Sequence, residues 1–221
     1  FLDTCTSWES IQENTELFVC FGGIPLKNGQ ISQGGTGNHF QKKKLLEAFK
    51  SRTNFINISP LKSDLIDEVG GEWIAPRPNT DTALMLGLAH TLYEFDLVDF
   101  DFISKYTVGF DVFLSYLLGE KDGIPKSAKW ASDICEIETE IIKNLAKEMS
   151  SKRTMISVSW SLTRQDHGEQ PFWMAIALSC MLGQIGLPGG GFGFGYSATN
   201  FIGGNFVIPP AAAFPQGINQ V

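Results

Sequence analysis

The sequence predicts an α/β domain: a Rossmann-like parallel sheet flanked by helices, with a helical subdomain inserted between its strands. Three observations predict it. Runs of β-branched, aromatic and short residues at 17–21, 54–58 and 153–159 read as buried strands. Each run ends in a turn rich in Gly, Ser or other polar residues, and stretches of helical period lie between the runs. Strand, helix, strand with short turns is the unit of a parallel sheet. With 221 residues, 43% hydrophobic and 19% charged, the chain can bury one sizeable core and is too apolar to be disordered.

The first strand, 17–21, breaks at Gly22-Gly23 and continues through Ile24-Pro25-Leu26-Lys27. Glycines there serve either a plain tight turn or a close approach of backbone to a phosphate or base. The stretch 30–37 is rich in Gly, Ser and Gln without period and reads as a loop. A helix follows over 39–51, with Leu45, Leu46 and Phe49 on its inner face and Lys42-Lys43-Lys44 on its solvated side. The second strand, 54–58, runs into Ser59-Pro60-Leu61-Lys62-Ser63-Asp64. In dinucleotide folds the end of this strand usually offers an acid to ribose hydroxyls; here it is Ser59, a weaker acceptor. A short strand at 73–75 leads through Pro76-Arg77-Pro78-Asn79-Thr80-Asp81 into a helix over 82–93. Asn79 or Thr80 suits the N-cap, and Asp81 suits the positive first turn. The same carboxylate also matches the paired N–H donors of a guanine edge. The residues alone leave both readings open.

From 97 to 149 the pattern predicts helices only. Phe100, Phe102, Ile103 and Tyr106 fit one, and Phe110, Phe113, Leu114, Leu117 and Leu118 a second. A turn-rich break covers 119–125, and Ile137, Ile141, Leu145 and Met149 fit a third helix. The sheet resumes at 153–159 and opens onto a polar crest, 160–170, that holds Arg164, Asp166, His167 and Glu169. Ligands of open α/β sheets bind at such strand ends, although surface loops are polar in any case. The helix 171–182 is apolar on every face and reads as interior. Beyond it, 183–195 carries six glycines after Gly183, a chain able to lie flat against a planar or phosphorylated ligand. The remainder, 196–221, has no period. The expected organisation is therefore one domain over 1–195, with its helical insert at about 97–150, and an irregular segment leading out to a further domain of a longer protein.

The formal charge of −7, with no basic stripe beyond the lysine triplet, argues against a nucleic-acid partner. No apolar run reaches the roughly 18–20 residues that span a bilayer. Cys5, Cys20, Cys135 and Cys180 are scattered, and His39, His90 and His167 lack metal-ligand spacing, so no protein-held metal is predicted. His90 reads as a satisfied core histidine. The chain starts at Phe1 and assigns no compartment.

Three stretches together, Asn79 to Gly87, Trp160 to Gln170 and Met181 to Gly193, resemble the molybdenum S- and N-oxide reductases of the dimethyl sulfoxide reductase family. That family includes dimethyl sulfoxide, trimethylamine N-oxide and biotin sulfoxide reductases. The similarity runs from about Trp8 to beyond Gly195. It implies a parent enzyme several times longer, of bacterial anaerobic respiration, that holds one molybdenum through bis-molybdopterin guanine dinucleotide. Such an enzyme reduces a small S-oxide or N-oxide by oxygen-atom transfer to Mo(IV) and is re-reduced by an electron donor protein. By resemblance this chain cradles one dinucleotide. Gly22, Gly23 and Lys27 would lie on the first phosphate turn. Ile58 and Ser59 would face the ribose and guanine, with Asp81 reading the guanine edge; Lys62, on the turn after Ser59, and Asn79 would also contact the cofactor. Trp160, Thr163 and Arg164 would approach the pterin, with Trp160 and Arg164 on the substrate side. The sequence departs from the family in carrying Ser59 for the ribose-side acid and Lys62 for an arginine. The family's molybdenum-ligating serine falls upstream of the region matched by Trp8, so this chain is expected to hold no metal and to be inactive alone. The competing reading is a Rossmann-like nucleotide-binding module or decayed relative without catalysis; a serine at that upstream position distinguishes the two.

Overall fold

The computed structural model describes residues 5–32, 35–36, 39–199 and 202–204. Its sheet has five strands, all parallel: β1 (Leu17–Phe21), β4 (Asn54–Ile58), β5 (Glu72–Ile74), β6 (Thr154–Val158) and β7 (Gly191–Phe194). Their spatial order is β5-β4-β1-β6-β7. β1 is central, with Leu17 aligned to Asn54 on one side and to Thr154 on the other. All five of its residues are buried, which explains its unbroken apolar run, because a sheet covered on both faces has no polar side.

Alternation along β1 sorts its side chains into two cores. Leu17, Val19 and Phe21 join the larger one, beneath α3 (Asp81–Glu94), α5 (Phe110–Leu117), α6 (Ala128–Cys135), α7 (Thr139–Ser151) and α8 (Gln170–Met181). Phe18 and Cys20 face the smaller one, beneath α1 (Trp8–Asn14) and α2 (Gln41–Lys50). There the Trp8 ring stacks on Phe18 at 6.0 Å, and Tyr196 meets both edge-on. α4 (Phe100–Tyr106) buries only Ile103. The chain leaves β1 to build β4 and β5 on one side, then crosses to build β6 and β7 on the other. The strand order therefore reverses at β1, and the crevice at the carboxyl ends of β1 and β6 is a topological switch point.

Several expectations need correction. The 30–37 loop contains a small antiparallel hairpin, β2 (Ile31–Ser32) with β3 (Gly35–Thr36); positions 33, 34 and 37 lie outside the described residues. On α2 it is Gln41, Leu45 and Ala48 that are buried, whereas Phe49 is 42% exposed. The helical stretch holds four helices rather than three. The additional one, α6, starts at Ser127, whose hydroxyl accepts from the Trp130 amide at 3.2 Å. α8 is interior on one face only: Met174, Ala175, Leu178 and Met181 are buried, while Trp173 is 61% exposed. The glycine-rich stretch supplies the fifth strand, β7. At Gly189 the backbone has φ +68°, and a Cβ would stand 2.7 Å from that of Asn14. Past 195, Trp8 donates to the carbonyls of Ile202 (Nε1, 3.1 Å) and Gly203 (backbone, 2.7 Å), so the described part of this segment packs back on α1. The rest of the expected outward segment lies outside the described residues. His90 is not satisfied: Nδ1 is buried without a hydrogen-bond partner, Glu94 stands 3.8 Å away, and burial pushes its pKa down. Among the described residues no helix is long and apolar enough to cross a membrane, and no cluster of His, Cys, Asp or Glu suits a metal ion.

Candidate functional site

Turns from four strands converge on a cleft of about 280 Å³ at the carboxyl edge of the sheet. Gly22 follows β1; Ser59, Pro60, Leu61 and Asp64 follow β4; Pro76, Pro78, Asn79 and Asp81 follow β5; Ser161, Leu162 and Gln165 follow β6. The volume lies at the small end of cavities that hold small molecules.

At the β1 turn, Gly22 and Gly23 adopt φ +81° and +70°. A Cβ on Gly22 would lie 2.6 Å from Ser159 Cβ, and one on Gly23 would lie 2.5 Å from Asp64 Cβ. The glycines thus let the turns after β1, β4 and β6 pack together. The Gly22 amide donates to the Ile58 carbonyl (2.8 Å), and the Ile24 amide to the Asp64 carbonyl (2.6 Å). Lys27 is exposed, its Nζ 3.8 Å from Asp64 Oδ1.

At the β4 turn the Ile58 side chain is wholly buried in the larger core, so only its backbone reaches the edge. Ser59 is buried. Its hydroxyl donates to Asp64 Oδ2 at 2.7 Å and accepts from the Leu61 amide, while its carbonyl accepts from Trp73 Nε1 at 2.8 Å. Lys62 opens a 3₁₀ turn, Lys62–Asp64, and is exposed.

Asp81 is the first residue of α3 and only 5% exposed. Thr80 holds the N-cap position without a capping hydrogen bond; its hydroxyl donates instead to the Arg77 carbonyl at 2.6 Å. Asn79 takes φ +67° to turn the chain into the helix. Among the described residues no other side chain donates a hydrogen bond to the Asp81 carboxylate, which is bonded by its own backbone amide and lies near the Cys135 thiol. Burial pushes its pKa up to about 6, because a carboxylate out of water without donors favours its neutral form. Asp81 stands in the positive first turn of α3, next to the N-cap Thr80.

At the β6 turn, buried Ser159 caps the 3₁₀ segment Trp160–Thr163, its Oγ 2.9 Å from that of Ser161. Trp160 is half-buried, and a Cβ on Gly195 would stand 2.9 Å from its indole. The Thr163 hydroxyl donates to the Trp160 carbonyl at 2.7 Å. Arg164 is exposed and has no carboxylate partner among the described residues, which leaves its guanidinium available to an anion. His167, at φ +54°, lies 3.8 Å from Asp166 and 3.9 Å from Glu169.

Of the residues singled out in the sequence, Gly22, Ser59, Asn79 and Asp81 line one cleft, with Trp160, Thr163 and Arg164 in the turn that supplies another of its walls. Lys27 and Lys62 stand on exposed turns, and the Ile58 side chain is in the core. Sequence reasoning missed Asp64 and Leu162. Asp64 had a signal in its place on the turn after an acid-lacking second strand; Leu162 had none. A larger cavity of about 490 Å³ follows β7 and the start of α1, and no charged residue lines it.

A buried acid without side-chain donors, in a cleft at the carboxyl edge of the sheet, can accept paired N–H groups. Comparison with known proteins bears on which ligand this is. A family model described as molybdopterin oxidoreductase matches residues 3–213. The chain is 48% identical over 192 residues to the dimethyl sulfoxide/trimethylamine N-oxide reductase of Rhodobacter capsulatus, covering 86% of this chain and 23% of that one. It is 44% identical over 208 residues to the biotin sulfoxide reductase of Cereibacter sphaeroides, covering 94% and 28%. It is also 46% identical over 199 residues to the trimethylamine-N-oxide reductase of Haemophilus influenzae, covering 88% and 24%. The chain thus spans about a quarter of the length of these curated relatives. Among solved structures, the acetylene hydratase from Pelobacter acetylenicus matches with a TM-score of 0.61 at 20% identity, over 79% of this chain and 22% of that one. That likeness is one of fold.

Proposed function

The chain belongs to the molybdopterin oxidoreductase family, and from that premise we propose that it is the dinucleotide-cradling α/β portion of an enzyme that removes oxygen from small S-oxides or N-oxides. The observation that carries the reading is Asp81, a buried carboxylate without a donor in the carboxyl-edge cleft. A guanine edge presents two adjacent N–H donors that match its two oxygens. On this reading the cofactor is the guanine dinucleotide form of molybdopterin. The α/β unit, its helices included, is the cofactor-binding domain of a longer chain.

Bound molybdenum and its pterins would supply the oxygen-atom transfer and the two-electron redox chemistry, and the protein orientation and electrostatics. Asp81 would hold the base and be ionised in doing so, since donors at its oxygens favour the charged form. Asn79 and the prolines beside it would form the wall of the base pocket. Gly22 and Gly23 would bring the β1 turn beneath the dinucleotide. Lys27 and Lys62, as exposed cations on the neighbouring turns, would attract its phosphates. Arg164 would clamp a phosphate or point donors at the oxide oxygen, while Trp160 and Thr163 would shape the pterin side of the cleft. The substrate would be a small sulfoxide or amine N-oxide, and electrons would come from a donor protein.

Two measurements on the full-length protein test this: molybdenum and guanine nucleotide released per mole, and oxide-dependent oxidation of a reduced dye. Metal-free and inactive protein isolated after expression with a molybdenum supply would refute the enzymatic reading and favour a non-catalytic nucleotide-binding module. For the base contact, Asp81→Asn replaces an acceptor with a donor facing donors, at a cost of about 1–3 kcal/mol. Nucleotide content should fall well below that of the unaltered protein, and unchanged content would remove Asp81 from the base-binding role.

A further inference from the structure

The second strand of this sheet lacks the acid that dinucleotide folds place at its end for ribose hydroxyls, and Ser59 occupies that position. The structure sets another carboxylate against it. Asp64 lies five residues on, on the same turn, and its Oδ2 accepts the Ser59 hydroxyl at 2.7 Å. Three further contacts fix Asp64 in place. Its backbone carbonyl accepts the Ile24 amide at 2.6 Å, its Cβ fills the space left by Gly23, and its amide donates to the Leu61 carbonyl at 3.1 Å. Both Ser59 and Asp64 line the carboxyl-edge cleft, and the Asp64 side chain is 15% exposed. An ionised carboxylate has about four acceptor sites. Ser59 uses one, and Lys27, at 3.8 Å from Oδ1, is beyond hydrogen-bond range.

We propose that Asp64, positioned by Ser59, is the acceptor for the vicinal diol of the bound ribose, so that the acid absent from the strand end is supplied from the turn. The proposal rests on the nucleotide-binding reading above and names a specificity-determining residue within it. The hydrogen bond with Ser59 orients the carboxylate and leaves Oδ1 to receive hydroxyl protons from the ligand. Such charge-assisted bonds strengthen binding of a diol over a ligand without one.

The test is binding of GDP and of 2′,3′-dideoxy-GDP to cofactor-free full-length protein, by calorimetry. The unaltered protein should prefer GDP by roughly tenfold to a hundredfold. Asp64→Asn, which retains an oxygen for Ser59, should bring the two affinities to within about threefold. Ser59→Ala should reduce the preference only in part, by loosening Asp64. Asp81→Asn should weaken both ligands alike and keep their ratio. A preference that survives in Asp64→Asn, or a wild-type protein that binds both ligands equally, overturns the role of Asp64 while leaving nucleotide binding standing. Failure of the folded protein to bind either ligand overturns both. Thermal melts of each variant establish that the compared proteins are folded.

Discussion

The pH dependence of Asp81 offers the sharpest test of the site in the absence of any ligand. Its pKa is raised from 3.8 to about 6 by burial, at 5% exposure. An acid whose folded pKa exceeds its unfolded value binds more protons in the folded state between the two. Stability therefore falls as pH rises from about 4 to about 6, and the cost is complete above that window. At about 1.4 kcal/mol per pKa unit the cost comes to roughly 3 kcal/mol at neutral pH. Asp81→Asn carries no charge at any pH, so its stability relative to the unaltered protein should rise by about 2.4 kcal/mol between pH 4 and pH 7.5. Any fixed penalty of the amide shifts both ends equally and leaves the slope untouched. Urea denaturation of the 221-residue chain at the two pH values gives the difference, and carbon NMR of the Asp81 carboxyl gives the midpoint directly. A midpoint near 4, or a stability difference that does not move with pH, would refute the claim that this carboxylate is buried without donors.

Two further predictions concern the frame that holds the site. Gln184 is buried and spans the entry to β6: Oε1 accepts the Thr154 amide at 2.7 Å, and Nε2 donates to the Lys152 carbonyl at 2.8 Å. Gln184→Ala leaves the Thr154 amide without a partner and the Lys152 carbonyl with only the Thr154 hydroxyl, at 3.3 Å, and should cost about 1–3 kcal/mol, seen as a lower urea midpoint and faster hydrogen exchange at Thr154. Gly87 sits where α3 crosses α6, and a Cβ there would stand 2.5 Å from Ala131 Cβ. Gly87→Val should therefore destabilise by about 2 kcal/mol despite the better helix propensity of valine, and a stabilised variant would show that the two helices are not in close contact.

The parts of the fold that could be read from sequence are those whose signal is local. β1 is buried on both faces and spells itself out in five consecutive apolar residues, while β4 and β6 declare themselves by β-branched, aromatic and short residues with Asn57 and Ser157 buried among them. β7 does not, because Gly191-Phe192-Gly193-Phe194 has only two side chains to declare a strand; pairing with β6 and the packing of Phe192 and Phe194 in the larger core make it one. α6 escaped for a related reason: its buried positions are Ala128, Ala131 and Cys135, small side chains that give a weak apolar period yet allow α3 to approach. α1 is seven residues long and anchored by Trp8 and Ile11 alone. Phe49 shows the opposite failure, a large apolar residue left half in water while Gln41 is buried, its Nε2 donating to the Tyr196 carbonyl at 2.9 Å. Only the tertiary contact across 155 positions explains that exchange.

The two acids of the cleft mark where sequence reading ends. Asp81 and Asp64 both follow parallel strands on polar, proline-bearing turns, and composition gives no ground for separating them. Their difference lies in partners contributed by the fold: Asp64 receives the Ser59 hydroxyl and stands near Lys27, whereas Asp81 has no donor beyond its own amide. The Ser59 hydroxyl holds the Asp64 carboxylate in one orientation, so a ligand hydroxyl would add to a set interaction. Asp81, offset only by its own amide and the positive first turn of α3, carries a cost of roughly 3 kcal/mol at neutral pH. On the proposed reading, a base with two adjacent donors would remove that cost on binding, and no neutral or donor side chain at position 81 would offer the same match.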